Sequence, residues 1–173
     1  MRVLVTGGVR SGKSCHAESL LTGPVTYLAP GPVQDDADWA ARIAAHRARR
    51  PVDWTTVESH DLVGVLARTD GHVMVDCLGT WLTAVLDERG LWGAPADEIT
   101  DVIGHVAQET ADVLAVRDQG EDTVLVTNEV GLGVVPEHRS GRLFRDLLGL
   151  VNQRIAAACD EVHLVIAGRV IRL

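Results

Sequence analysis

Residues 1–15 read Met-Arg-Val-Leu-Val-Thr-Gly-Gly-Val-Arg-Ser-Gly-Lys-Ser-Cys, and this stretch decides the fold. Residues 2–5 predict a short buried strand, and residues 16–21 favour a helix. Between them, residues 7–14 follow the spacing Gly-x-x-x-x-Gly-Lys-Ser of a phosphate-binding loop. A strand, a glycine loop and a helix in this order form the context in which such a loop binds nucleotide phosphates. A glycine-rich turn that binds nothing is the alternative.

Two side chains of this loop carry its predicted chemistry. Lys13 is predicted to reach the β- and γ-phosphate oxygens, and the hydroxyl of Ser14 is predicted to hold Mg²⁺. Lys13 is the only lysine of the chain, although Lys and Arg together number 16. Because the chain uses arginine for every other cation, this position indicates a need for a compact charge on a flexible stem.

Composition limits the classes of partner and compartment. The length of 173 residues predicts one domain over residues 1–173. The net charge of −8 argues against nucleic acid or an anionic membrane as a partner. Cys15, Cys77 and Cys159 are odd in number and lack metal-site spacing, so reduced thiols are expected. The most apolar run, residues 72–86, is too short to span a membrane, and the chain begins directly in a strand. We therefore expect a cytoplasmic protein.

Strand-length apolar runs alternate with longer helical patterns along the chain. This alternation predicts an α/β fold with a mostly parallel sheet, a three-layer sandwich of the P-loop NTPase (RecA-like) type. The tight turn at Gly168 and Arg169 is too short for a crossover, so the final strand is expected antiparallel at an edge. Predicted strands cover residues 3–5, 25–29, 52–57, 73–76, 123–127, 162–167 and 170–173, and predicted helices 14–21, 36–49, 61–68, 79–88, 97–118 and 140–158.

Asp76 ends the apolar strand His-Val-Met-Val-Asp. Phosphate-loop enzymes place at such a strand end the carboxylate that orients Mg²⁺. A helix N-cap for residues 79 onward is the alternative interpretation of this aspartate.

The segment 39–54 carries the histidine of greatest interest. Trp39, Ile43 and His46 share one helical face, and Arg47, Arg49 and Arg50 crowd the last turn before a proline. The arginines alone are equally well explained as a complement to the helix dipole, and a single histidine is usually structural.

Blocks of sequence along nearly the whole chain together resemble one enzyme family, and this resemblance favours a catalytic role for the histidine. The family is that of the bifunctional adenosylcobinamide kinase / adenosylcobinamide-phosphate guanylyltransferase. The blocks are Gly-Gly-x-Arg-Ser-Gly-Lys-Ser at 7–14, Tyr-Leu-Ala at 27–29, Arg-Ile-x-x-His-x-x-x-Arg-Pro-x-x-Trp at 42–54, Val-Asp-Cys-Leu at 75–78, Val-Leu-Val-Thr-Asn-Glu-Val-Gly-x-Gly-Val-Val-Pro at 124–136, Phe-Arg-Asp at 144–146, Val-Asn-Gln-Arg at 151–154 and Ala-Ala-Ala-x-Asp-Glu-Val at 156–162.

The resemblance implies two reactions of cobalamin assembly. ATP or GTP phosphorylates the aminopropanol hydroxyl of adenosylcobinamide, a corrinoid. The enzyme then takes GMP from GTP onto a histidine and transfers it to that phosphate, giving adenosylcobinamide-GDP. The resemblance also suggests a homotrimer and the use of Mg²⁺.

By position, His46 resembles the histidine nucleophile, and Lys13 and Asp76 accompany it as catalytic residues. Pro30 and Gly31 stand where the family is expected to carry small polar residues, and Asp76 stands where some relatives carry Glu. The residues that resemble nucleotide contacts are Thr6, Gly7, Gly8, Val9, Arg10, Ser11, Gly12, Lys13, Ser14, Ala29, Pro30, Gly31, Arg47, Ala48, Arg49, Arg50, Glu58 and Asp76.

Two other functions remain open from the sequence. One is a phosphate-loop kinase of small molecules without nucleotidyltransferase activity, and the other is a non-catalytic nucleotide-binding subunit. The loop at residues 128–136 carries glycines, aliphatic residues and Glu129, which suggests a substrate pocket, although a plain surface loop has the same composition.

Overall fold

Seven strands form one sheet in the computed structural model, which describes residues 1–31, 50–117 and 120–173. The strand order is β3-β2-β4-β5-β1-β6-β7, and every neighbouring pair is parallel except β6 with β7. The prediction of a mostly parallel sheet with an antiparallel edge strand is therefore confirmed. The strands are β1 (Arg2–Gly7), β2 (Val25–Ala29), β3 (Thr55–Glu58), β4 (His72–Asp76), β5 (Thr123–Val126), β6 (Glu161–Ile166) and β7 (Arg169–Arg172).

At least one helix lies between consecutive parallel strands, except between β2 and β3, where the connection includes residues outside the described ranges. The helix ends agree with the predicted ends within two residues, and the predicted helix 36–49 lies outside the described residues. The described helices are α1 (Lys13–Ser19), α2 (Leu62–Arg68), α3 (Leu78–Glu88), α4 (Ala96–Val116), α5 (Arg139–Ala157) and a short 3₁₀ turn at Leu91–Gly93.

Alternate residues of the central strands face opposite layers. On β1, Val3 and Val5 pack with Ala17 of α1, whereas Leu4 belongs to the larger cluster formed with α2 to α5. Both side chains of Val3 and Val5 are fully buried, because a parallel sheet covered on both faces leaves no strand face in water. The three-layer arrangement follows from this alternation.

The third strand begins later than predicted. Residues 52–54 do not belong to it, because the Trp54 N–H donates a hydrogen bond of 3.2 Å to the carbonyl oxygen of Pro51 and closes a turn. Val52 is fully exposed on that turn, so its apolar character does not mark a strand.

Asp160 ties the start of β6 to the start of β1, and this contact makes stability depend on pH. Its carboxylate accepts hydrogen bonds of 2.7 Å from both the Arg2 guanidinium and the Arg2 N–H. These bonds hold the pKa of Asp160 below its ordinary value, so their stabilisation is complete above about pH 4 and is lost at lower pH.

We expect Asp160→Asn to lower the free energy of unfolding by about 1 kcal/mol at pH 7. The difference from the unsubstituted protein should narrow as the pH falls below 4, where the native carboxylate also becomes protonated. Urea unfolding at several pH values measures this, and a difference that stays constant with pH would contradict it.

Candidate nucleotide and phosphoryl-transfer site

The phosphate loop joins β1 to α1 and has the backbone that its glycines predict. Gly12 has a φ of +97° directly before α1, a conformation that is strained for residues with a side chain. Lys13 opens the helix, is buried, and donates from Nζ to the carbonyl oxygen of Gly8 at 3.1 Å. The lysine side chain therefore folds back over the loop in which phosphates are predicted to lie.

Elements far along the chain fix the shape of this loop. A Cβ on Gly7 would lie only 2.4 Å from the carbonyl oxygen of Val165 on β6, so no side chain fits there. The Gly168 N–H donates to the carbonyl oxygen of Ser11 at 2.8 Å, and the Glu129 N–H donates to that of Gly7 at 3.1 Å. The loop is thus held by the β6–β7 turn and by the residues that follow β5.

Three buried side-chain oxygens at this edge have no hydrogen-bond partner among the described residues. They are Oγ1 of Thr6, Oγ of Ser11 and Oδ2 of Asp76. Buried polar atoms without a partner are costly, so such atoms indicate a polar ligand. Ser14 lies half-buried in the first turn of α1. A magnesium-bound triphosphate requires hydroxyl and carboxylate oxygens for the metal and the backbone N–H groups of a glycine loop for the phosphates. The residues at this edge fit that requirement.

Asp76 lies at the carboxyl end of β4, with β5 between it and the phosphate-loop strand. Asp76 pairs with Val126 of β5, which in turn pairs with Val5 of β1. The alternative of a helix N-cap is wrong, because α3 begins at Leu78 and Cys77 precedes it as the cap. The Cys77 N–H donates to the hydroxyl of Thr80 at 3.4 Å, so helix capping does not use the aspartate.

The predicted nucleotide contacts on β2 and β3 reach the same edge of the sheet. Ala29 and Glu58 end their strands as a directly paired couple. Gly31 follows so close to α3 that a Cβ there would meet the Cβ of Thr80 at 3.2 Å. Parallel strands bring their carboxyl ends together, and open α/β sheets bind ligands there.

Arg50 and Tyr27 form a contact that the sequence analysis missed. The Arg50 guanidinium carbon lies 3.2 Å from the centre of the Tyr27 ring, and its Nη1 donates to the Thr56 hydroxyl at 3.1 Å. Burial and then the carboxylate of Asp76 raise the pKa of Tyr27 well above its ordinary value. Tyr27 therefore stands between a predicted metal-orienting carboxylate and a predicted nucleotide-binding arginine. The signals that the sequence offered for Tyr27 are its place in the Tyr-Leu-Ala block at 27–29 and its being the only tyrosine in the chain.

A second group of polar contacts surrounds Asn128, directly after β5. Its side-chain oxygen accepts from the Cys77 thiol at 3.4 Å, and its carbonyl oxygen accepts from the Asn152 amide at 3.2 Å. The Thr127 hydroxyl donates to Asn152 at 2.6 Å. Burial and the nearby Asp76 raise the pKa of Cys77, so the thiol stays protonated as a donor. Asn152 lies in the Val-Asn-Gln-Arg block at 151–154, but its contact with Asn128 was not predicted from the sequence.

Four predicted residues lie outside the described part of the chain: His46, Arg47, Ala48 and Arg49. The structure therefore places the phosphate loop, residues 29–31, Glu58 and Asp76 along the carboxyl edge of the sheet and Arg50 on Tyr27. The role of His46 stays a prediction. No described helix combines the length and apolar character that crossing a bilayer requires.

Comparisons with known proteins agree on one family. The model of the family described as "Cobinamide kinase / cobinamide phosphate guanyltransferase" matches residues 3–173. The bifunctional adenosylcobalamin biosynthesis protein CobU of Escherichia coli K12 is 41% identical over 97% of both chains. The protein of the same name from Salmonella typhimurium LT2 is 40% identical, also over 97% of both chains.

A solved structure supports the fold alone. An ATPase from the type III secretion system of pathogenic bacteria superposes with a TM-score of 0.58 at 10% identity. The match covers 94% of this chain and 50% of the ATPase, so the shared part is the P-loop NTPase α/β fold.

Proposed function

Because the chain belongs to the cobinamide kinase / cobinamide phosphate guanyltransferase family, we propose that it carries out both reactions on adenosylcobinamide. It phosphorylates the aminopropanol hydroxyl with ATP or GTP, and it then transfers GMP from GTP to that phosphate, giving adenosylcobinamide-GDP. The observation that carries the proposal is the phosphate loop with buried Lys13, at the same edge of the sheet as the Asp76 carboxylate, whose Oδ2 has no hydrogen-bond partner among the described residues.

The kinase step depends on positioning and on neutralising charge. Lys13 and the loop N–H groups hold the β- and γ-phosphates, while the acceptor hydroxyl attacks the γ-phosphorus and the bond to the β-γ bridging oxygen breaks. Ser14 and Asp76 would hold Mg²⁺, which supplies positive charge to the phosphate oxygens when bound. The proton of the hydroxyl leaves to solvent or to a nearby carboxylate.

The guanylyl step uses the residues of the segment 46–50. A ring nitrogen of His46 attacks the α-phosphorus of GTP, and pyrophosphate leaves as the new P–N bond forms. An oxygen of adenosylcobinamide phosphate then attacks the same phosphorus and releases the histidine. The support for Arg50 in this step is its position: its guanidinium lies on Tyr27, close to Asp76.

Labelled GTP distinguishes the two activities. Incubation with α-labelled GTP should leave label covalently on the protein, and γ-labelled GTP should label only the corrinoid product. Corrinoid labelling from the γ-phosphate with no protein adduct would indicate a kinase without nucleotidyltransferase activity. Absence of both products would leave a nucleotide-binding subunit.

Asp76→Asn separates metal orientation from packing, because it keeps the shape of the side chain and removes its charge. We expect the rate of adenosylcobinamide phosphorylation to fall at least about a hundredfold, because the loss of one charged group that stabilises the transition state typically has an effect of this size. The melting temperature should stay within a few degrees, since the aspartate caps no helix. A variant with near-native activity at all Mg²⁺ concentrations would contradict the role.

The residues 1–173 act as one domain, the protein works in the cytoplasm, and three copies form a homotrimer. The family resemblance supports the trimer, and light scattering coupled to size-exclusion chromatography tests it by mass.

A further inference from the structure

We propose that the loop at residues 130–135, called here the aliphatic loop, binds the corrin ring of the acceptor. The inference rests on the proposed function and adds to it the place where the substrate lies. The loop reads Val-Gly-Leu-Gly-Val-Val and contains no charged residue, although 23% of the chain is charged.

Its aliphatic side chains are exposed although its backbone is anchored. Val130 is 37% exposed, and the side chains toward the tip are more exposed: Leu132 at 86%, Val134 at 96% and Val135 at 59%. Four exposed aliphatic residues within six positions form a concentrated apolar surface, and such a surface on a folded protein commonly marks a binding site.

Helix α5 and the phosphate loop hold this surface in place. The Arg145 guanidinium donates from Nη2 to the carbonyl oxygen of Gly131 at 3.0 Å, and Arg142 donates to that of Pro136 at 3.1 Å. The carboxylate of Glu129 accepts from the Gly131 N–H at 2.7 Å. Because the Glu129 N–H is itself bonded to Gly7, the aliphatic loop starts at the edge of the phosphate loop.

The position of the aliphatic loop beside the phosphate loop identifies its ligand as the phosphate acceptor, adenosylcobinamide. The hydroxyl that receives the γ-phosphate must reach the phosphate loop, and it is joined to the corrin ring by a short amide arm. The ring must therefore lie next to the phosphate loop, where it presents methyl-bearing faces and a rim of amides. The aliphatic loop offers apolar contact there.

Arg145 adds a polar contact of the right kind. Its Nη1 is buried without a hydrogen-bond partner among the described residues, although Nη2 is bonded to the loop. A buried N–H without an acceptor is costly, and an amide carbonyl from the rim of the ring would satisfy it. Apolar contact and one unused donor together match an amphipathic amide-bearing ligand.

The test compares Leu132→Ser with Val116→Ser, a matched change at a residue that is 82% exposed. Val116 ends α4, which leads to the amino end of β5, the edge of the sheet opposite the phosphate loop. We expect Leu132→Ser to weaken binding of adenosylcobinamide, measured by equilibrium dialysis without nucleotide, by roughly tenfold. The KM for ATP, the kcat at saturating acceptor and the melting temperature should not change, and Val116→Ser should behave as the unsubstituted protein.

Equal affinity for adenosylcobinamide in Leu132→Ser and Val116→Ser would overturn the proposal. A loss of molecular mass in Leu132→Ser, measured by light scattering at the dialysis concentration, would also overturn it and assign the loop to contact between copies. Dialysis measures binding without turnover. If the unsubstituted protein shows no phosphorylation but Leu132→Ser still binds adenosylcobinamide more weakly, the proposed function is refuted and the binding site is supported.

Discussion

Lys13→Ala should lower kcat/KM for adenosylcobinamide phosphorylation on the order of a thousandfold, the scale of losing a positioned charge in a dry site. Lys13 is buried over the phosphate loop, and the chain has no other lysine that could replace its charge. Nucleotide binding should weaken as well, because the same charge contacts the ground-state phosphates. Steady-state kinetics and titration with a nonhydrolysable ATP analogue measure the two effects.

Lys13→Arg is the informative control, because it keeps the charge and changes its shape. A planar guanidinium does not fit a cradle that holds the ammonium 3.1 Å from the Gly8 carbonyl oxygen, so we expect little recovery of the rate. Both variants should melt close to the unsubstituted protein, since only one hydrogen bond is lost. Normal phosphorylation by Lys13→Ala would refute the assignment of the phosphate loop.

His46→Ala should abolish covalent labelling by α-labelled GTP and still phosphorylate adenosylcobinamide. The kinase step does not pass through the histidine, so the two activities separate in this variant. The adduct on the unsubstituted protein should be lost in acid and survive alkali, as a P–N bond does. Acid lability alone does not distinguish histidine from lysine, and the substitution therefore decides.

His60→Ala is the matched control for that experiment. His60 lies in the described part of the chain, with Nε2 3.1 Å from the Glu88 carboxylate on the surface. We expect its variant to label normally. An intact adduct on His46→Ala would reject the nucleophile assignment and direct attention to His60 or Lys13.

The local features of the fold were predictable because local chemistry determines them. The Gly-Lys-Ser motif predicts the turn and the helix start, and the strand end at Asp76 follows from its apolar run. Val52 misled the strand prediction because Pro51 forms a turn in which an apolar residue is exposed. Local patterns do not show whether an apolar side chain has anything to pack against.

Contacts between distant residues could not be read from the sequence. The guanidinium of Arg50 on Tyr27 depends on β2 and β3 being neighbours, and the strand order is set by crossovers rather than by local patterns. The same holds for Asn152 beside Asn128, which requires α5 to return along the end of β5. Spacing in the sequence indicated neither pair.

The bond from Gly168 to Ser11 has a consequence for how the protein is made. A ribosome emits the glycine loop first, but the partners that shape this loop are Val165 and Gly168, about 150 residues later in synthesis. Strand β1 also waits for β5 and β6 before either of its edges is paired. Such distant pairings make folding slow and leave an unpaired apolar strand exposed in the meantime. The nascent chain therefore contains the phosphate-loop sequence long before it can bind a nucleotide. During that interval, β1 is a segment that chaperones would protect.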